Sequence, residues 1–179
     1  MAQPEFTDAY IGLGSNVGDR LGALQKAVRT MASWPGTNVV AASSIYETEA
    51  HVRPGTDRQP DHLNAVVHLK TGLAPLELLN RLHEAERAAG RDPNAPPWSP
   101  RPLDLDLLMF GVECVDTDEL VIPHPRIAER RFVLQPLADV APSLLIGEKT
   151  VAELLTETSD TARIVRTDLV LVAPDLHGP

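Results

Sequence analysis

Two aspartates, Asp104 and Asp106, stand two residues apart inside the otherwise apolar run Leu103–Phe110. In an extended strand alternate residues face the same side, so the two carboxylates share a face with Cα atoms about 6.5 Å apart. Leu105, Leu107 and Met109 are then expected on the opposite face. A pair of like charges on such a strand is costly unless something positive lies between them. A hard cation fits, because Mg²⁺ takes a couple of carboxylates together with water and substrate phosphates. The D-x-D spacing alone is weak, since an edge strand with both aspartates in solvent has the same pattern. Its neighbours add weight: Arg101 precedes Asp104 by three residues, Arg91 stands at the mouth of a proline-rich segment, and Trp98 lies between them. Metal-binding carboxylates, phosphate-binding guanidiniums and a stacking aromatic are the parts of phosphoryl-type transfer.

Arginines gather around this strand, at Arg81, Arg87, Arg91 and Arg101, and again at Arg126, Arg130 and Arg131. A local basic pocket suits a small polyanion. For any single arginine, a solvated, salt-bridged surface is the plainer reading.

Other chemistries find no support. The stretch GLGSNVGDR at Gly12–Arg20 lacks the P-loop lysine and the G-x-G-x-x-G spacing, and reads as a strand-to-helix turn capped by Asn16 or Asp19. His124 lies between two prolines in IPHPR, but there is no H-E-x-x-H, and Cys114 is the single cysteine. A nucleophile elbow, G-x-S-x-G, is absent.

The elements that must position these residues follow from periodicity. A strand is expected at Ala9–Leu13, then a helix from Arg20 to Ser33 with Leu21, Leu24, Val28 and Met31 at helical spacing, ended by Trp34–Gly36. Val39–Thr48 and His62–Leu69 read as further strands, joined by the polar loop Glu49–Asp61. A second helix starts at Pro75, carries Leu76, Leu79, Leu82 and Ala89 on its expected buried side, and stops at Gly90. Five prolines then bar helix and central strand before the aspartate strand Leu103–Phe110. The order β-α-β-β-α-β is that of an α+β ferredoxin-like sandwich, with helices on one face of an antiparallel sheet. Elements appended at the C-terminus include a partly helical Ile127–Leu137, a short helix at Val151–Glu157 and a late edge strand within Ile164–Val172.

A chain of 179 residues, 43% hydrophobic, suits one domain, here with a core of 8–145 and a C-terminal extension of 146–179. No apolar stretch reads as a signal or membrane span, and a single cysteine forms no internal disulfide, so the expectation is a cytoplasmic protein without membrane contact. The net charge of −9 argues against nucleic-acid binding.

Taken in order, GLGSNVGDR, SSIYET, QPDHLNAVV, EAERAAGR, WSPRPLDLDLLMFG and IPHPRIAERRFVLQPLADVAP resemble the 6-hydroxymethyl-7,8-dihydropterin pyrophosphokinases of folate biosynthesis, over about Tyr10 to Pro142. The resemblance implies transfer of pyrophosphate from ATP to the pterin alcohol by a monomer acting on small molecules. It implies that Asp104 and Asp106 bind two Mg²⁺ ions and that Arg91 and Arg101 are catalytic through charge stabilisation. Thr48, Asn64, Trp98 and Phe132 would line the pterin pocket, and Glu86, Leu107, His124 and Arg130 would contact ATP. A metal-dependent phosphohydrolase and a non-catalytic pterin- or nucleotide-binding module use the same residues and stay open from the residues alone.

Overall fold

The computed structural model describes residues 6–50, 59–92, 94–96 and 99–173. Trp98 and most of the loop expected at Glu49–Asp61 lie outside the described residues.

The elements run β1 (Thr7–Ser15), α1 (Arg20–Ala32), β2 (Thr37–Ala42), β3 (Tyr46–Thr48), β4 (His62–Thr71), α2 (Pro75–Ala88) and β5 (Asp104–Phe110). The later ones are β6 (Val115–Asp116), β7 (Val121–Ile122), α3 (Arg131–Val140), β8 (Leu145–Ile146), β9 (Lys149–Thr150), α4 (Val151–Glu157) and β10 (Ile164–Arg166). The main sheet has the order β10-β3-β4-β1-β5, with β2 also paired to β4, and all its pairs are antiparallel.

Local chemistry accounts for the helices. Asp19 caps α1 by accepting from the Gly22 amide at 2.9 Å, and Leu24, Ala27, Val28 and Met31 form its buried stripe. Pro75 opens α2, whose buried residues are Leu78, Leu82 and Glu86, four apart. The stripe is therefore rotated from the one expected: Leu76 is exposed, and Leu79 and Ala89 are only partly buried. A carboxylate at the third position of an apolar stripe marks α2 as more than a packing element.

The expected helix-covered single face is corrected. One core cluster joins α1 and α2 to Ile11, Leu13, Leu63, Leu105 and Leu107 on one side of the sheet. A second packs Val133, Leu134, Leu137 and Val151, from α3 and α4, onto Tyr10, Val66 and Leu108 on the other. The reason is the high apolar content of α3 and the fact that the aspartate face turns apolar at Leu108. Nor does β5 alternate throughout. A register shift opposite Tyr10 and Ile11 leaves Leu108 and Met109 both with the second cluster, while Phe110 returns to the first. Met109 thus departs from the face assigned to it by strict alternation.

The strand expected over Val39–Thr48 is two. It breaks after Ala42, where the Ser43 hydroxyl accepts from the Val66 amide at 2.9 Å and the Ser44 amide donates to Asp139 of α3 at 3.0 Å. Asp139 also accepts from the Tyr46 hydroxyl at 3.0 Å, tying α3 to the sheet. The helix starts at Arg131, later than Ile127, with the Asp160 carboxylate receiving its first amide at 2.9 Å. The late edge strand is confined to Ile164–Arg166, which extends the sheet beyond β3, and Leu171 returns to the first core.

Tyr46→Phe removes a partly buried hydrogen bond from a buried hydroxyl to the exposed Asp139 carboxylate and is expected to destabilise the protein by about 1–3 kcal/mol. Urea unfolding would reveal it as a lower midpoint at unchanged slope. An unchanged midpoint would mean that Asp139 does not anchor α3.

Candidate active site

The aspartate face is open where the second helical layer stops. On the neighbouring strand Gly14 pairs with Asp104 and Gly12 with Asp106, and across Gly14 stands Asn64 of β4. A Cβ at Gly14 would lie 3.5 Å from Asn64 Oδ1 and 3.8 Å from Asp104 Cβ. The absence of side chains at Gly12 and Gly14 thus leaves a trough between an amide and a carboxylate. The Asn64 amide group donates to Thr48 Oγ1 at 2.7 Å, with both residues buried. That bond leaves the Asn64 carbonyl oxygen facing the trough. Phe132, at the start of α3, lies under the Arg130 guanidinium, which is 5.5 Å from the ring centre.

The arginines converge on Asp104. Its Oδ1 accepts from Arg91 at 3.0 Å and from Arg101 at 2.9 Å. Arg91 is aimed by the end of α2. Gly90 adopts φ +94°, the Gly90 amide returns to the Arg87 carbonyl, and the Arg91 amide to the Glu86 carbonyl. This is a Schellman termination that turns the chain toward β5. Arg91 also donates to the Glu86 carboxylate, which accepts from the Leu105 amide at 2.8 Å. Glu86, only 2% exposed, therefore couples α2 to the aspartate strand. Arg101 is fixed from the other side. Its amide donates to Asn16 Oδ1 at 2.8 Å, its carbonyl accepts from the Asn16 amide, and the Asn16 side chain donates to Gln59 at 3.3 Å. Asn16, a possible helix cap by its place in the sequence, instead makes a three-way clamp through contacts distant in the chain.

Two cavities flank the pair. One of about 400 Å³ is lined by His83, Glu86, Arg87, Arg91 and Arg101, and one of about 230 Å³ by His83, Asp106, Leu107, Leu120 and His124. His83, which borders both, was missed; its signal is its spacing of three from Glu86 and four from Arg87 along α2. Leu107 lines the second cavity although most of its surface is in the core. His124 is held beside β5 by its amide, which donates to the Leu108 carbonyl at 2.9 Å.

The electrostatics are those of a site short of positive charge at one point and rich in it around. Burial, and then the adjacent Asp104, raise the pKa of Asp106 against the pull of His124, Arg130 and Arg91. Burial lowers the pKa of His124, with Arg130 and Arg126 adding to the effect and Asp106 opposing it. Arg130 is lowered by burial and by Arg126, and His83 by burial and by Arg91 and Arg87. No group of three or more His, Cys, Asp or Glu able to enclose a metal occurs among the described residues. Two carboxylates with open positions suit a cation whose remaining ligands are water and phosphate. Chemically, the arrangement can bind an oligophosphate between guanidiniums and carboxylate-held cations, next to a flat polar ligand.

The sequence matches the family model of 7,8-dihydro-6-hydroxymethylpterin-pyrophosphokinase (HPPK) over residues 10–142. It is 44% identical over 132 residues to the 2-amino-4-hydroxy-6-hydroxymethyldihydropteridine pyrophosphokinase of Bacillus subtilis, covering 74% of this chain and 77% of that protein. With the protein of the same description from Methylorubrum extorquens it is 44% identical over 151 residues, covering 84% and 92%. A folate synthesis bifunctional protein of Arabidopsis thaliana is 47% identical over 136 residues, which is 75% of this chain and 27% of that one, so the chain spans about a quarter of that relative. Among solved structures, wild-type Plasmodium falciparum HPPK-DHPS aligns with a TM-score of 0.65 at 15% identity, over 88% of this chain and 45% of that one. At that identity the likeness speaks to fold alone.

Glu86 and Asn16 provide tests independent of any ligand. Burial raises the Glu86 carboxyl from 4.5 to about 7, against the bonds from Leu105 and Arg91. The unfolded chain thus ionises this group before the folded one does, so its contribution is fully present below 4.5 and is lost as pH rises through about 7. Glu86→Gln is expected to melt with the wild type near pH 4 and above it near pH 8; a gap independent of pH contradicts this. Asn16→Ala leaves the Arg101 amide without its acceptor and is expected to cost about 1–3 kcal/mol in denaturant unfolding. Unaltered stability would dissolve the clamp.

Proposed function

The chain belongs to the 7,8-dihydro-6-hydroxymethylpterin-pyrophosphokinase family, and from that premise we propose that it transfers the pyrophosphoryl group of ATP to 6-hydroxymethyl-7,8-dihydropterin, releasing AMP. The observation that carries the reading is Asp104 and Asp106 on one strand face, with Arg91 and Arg101 converging on the first and the Thr48–Asn64 pair across a glycine trough.

In this reading the Asn64 carbonyl oxygen accepts from the amide-like edge of the pterin, with Thr48 fixing the amide's orientation. Phe132 stacks on the ring, and in the family pattern Trp98 would be its second aromatic partner. The nucleoside end of ATP enters the cavity lined by Leu107 and His124, and Arg130 faces its phosphates. Glu86 keeps Arg91 in position from within the core. Arg91 and Arg101, shared with Asp104 in the ligand-free protein, turn part of their donor capacity to phosphate oxygens. The pterin hydroxymethyl oxygen attacks the β-phosphorus, the bond from that phosphorus to the α-phosphate oxygen breaks, and AMP leaves. Arg91 and Arg101 offset the charge that develops on the transferred group. Asp104 and Asp106 would hold Mg²⁺, two ions in the family pattern, whose chemistry when bound is to neutralise phosphate charge and steady the entering and leaving oxygens.

The fold is read as ferredoxin-like through the path β5-β1-β4-β2, in one domain whose C-terminal extension completes the sheet edge. We further read the protein as a cytoplasmic monomer that acts on small molecules. Its acidic balance supports the exclusion of nucleic acid, and no described helix is long and apolar enough to cross a membrane.

Pure protein given ATP, Mg²⁺ and the pterin alcohol is expected to form AMP and pterin diphosphate, and chelation of the metal to stop it. Release of inorganic phosphate without pterin would point to a phosphohydrolase, and pterin binding without turnover to a binding module. Asp106→Ala is expected to lose turnover by at least about 100-fold with an undiminished melting temperature, because it removes a carboxylate disfavoured in the ligand-free fold. Full activity in this variant would overturn the metal assignment.

A further inference from the structure

His83, Arg87 and Arg91 follow one another at intervals of four residues, and all three border the larger cavity. Arg91 is tied to Glu86 and Asp104, and Arg101 to Asp104 and the Ser99 carbonyl. Arg87 alone among the cavity's arginines has neither a side-chain hydrogen bond nor an ion pair among the described residues. After Arg91 the cavity is bordered by Asp92, Ala95, Pro96, Ser99 and Pro100, and the sequence from Asp92 to Pro100 contains no lysine or arginine. Its one charge is Asp92, whose carboxylate accepts from the Asn94 amide at 2.8 Å. A polyanion in this cavity therefore meets two guanidiniums already shared with carboxylates and one that is uncommitted.

On the pyrophosphokinase reading of this site, we propose that Arg87 is a phosphate-binding residue: its guanidinium, carried by the last turn of α2, engages the β- and γ-phosphates of the nucleotide. The segment beyond Arg91 supplies no cation, so the helix supplies it. A guanidinium suits the task, since its planar donors pair with phosphate oxygens two at a time. The competing role is that of a cation at a helix C-terminus, which would stabilise α2 without regard to the ligand.

The two roles separate by nucleotide. Calorimetry with ATP and with AMP, each with Mg²⁺ and without pterin, should be run on the wild type, Arg87→Ala and Arg87→Lys. The alanine variant is expected to bind ATP about tenfold more weakly and AMP within about twofold of the wild type. The lysine variant, which keeps the charge but not the fork, is expected to fall between them, with its melting temperature unchanged. Equal ATP affinity in all three proteins overturns the assignment, as does an equal loss for ATP and AMP. If the alanine variant is unstable, the same comparison rests on the lysine variant. Failure of the parent reading is distinct: wild-type protein would bind ATP yet make no AMP from ATP and pterin, while the ATP-to-AMP contrast at Arg87 stands or falls independently.

Discussion

Two carboxylates two residues apart on a half-buried strand are the constraint around which this protein is arranged. Each is tolerable alone, but burial and mutual repulsion hold Asp106 above the usual carboxylate range. Asp104 is compensated within the chain by Arg91 and Arg101, whereas Asp106, among the described residues, has more diffuse attraction from His124, Arg130 and Arg91. The ligand-free fold is therefore electrostatically incomplete at one point. Stability alone would favour an apolar residue there; a site that must grip a cation under phosphates requires the carboxylate.

Much of the surrounding architecture serves to hold that incomplete site still. The end of α2 delivers Arg91 through a left-handed Gly90, and the buried Glu86 links the helix to β5 through the Leu105 amide. Asn16 pins the Arg101 backbone to the turn after β1. Gly12 and Gly14 keep the strand beside the aspartates bare, so Asn64 can face Asp104 across a gap. On the far half of the same face, α3 and α4 cover what is apolar and stop short of what is charged.

The sequence made the strands β1, β4 and β5, the first two helices and the charged residues legible because their signals are local. Period two exposed the aspartate face, and Pro75 and Gly90 bracketed α2. What escaped depends on contacts between distant segments. The break at Ser43–Ile45 exists because Ser43 and Ser44 find partners on β4 and α3. The shift that places Leu108 and Met109 in one cluster arises from pairing with β1 and leaves no mark in composition. Asn16 looked like a turn residue, and its bond to Arg101 spans 85 positions. The helices on the second face were visible as elements, but which side of the sheet they would cover was not. Trp98 lies outside the described residues.

The central claim is that Asp106 carries an unfavourable charge until a cation relieves it. Carbon-13 NMR titration of the labelled Asp106 carboxylate measures this directly, first in the ligand-free protein and then with Mg²⁺ and a non-hydrolysable ATP analogue. The ligand-free carboxylate is expected to titrate above the ordinary aspartate value of 3.8, and the midpoint to fall when metal and nucleotide bind. A ligand-free midpoint at or below that value, unmoved by Mg²⁺ and nucleotide, would contradict the account.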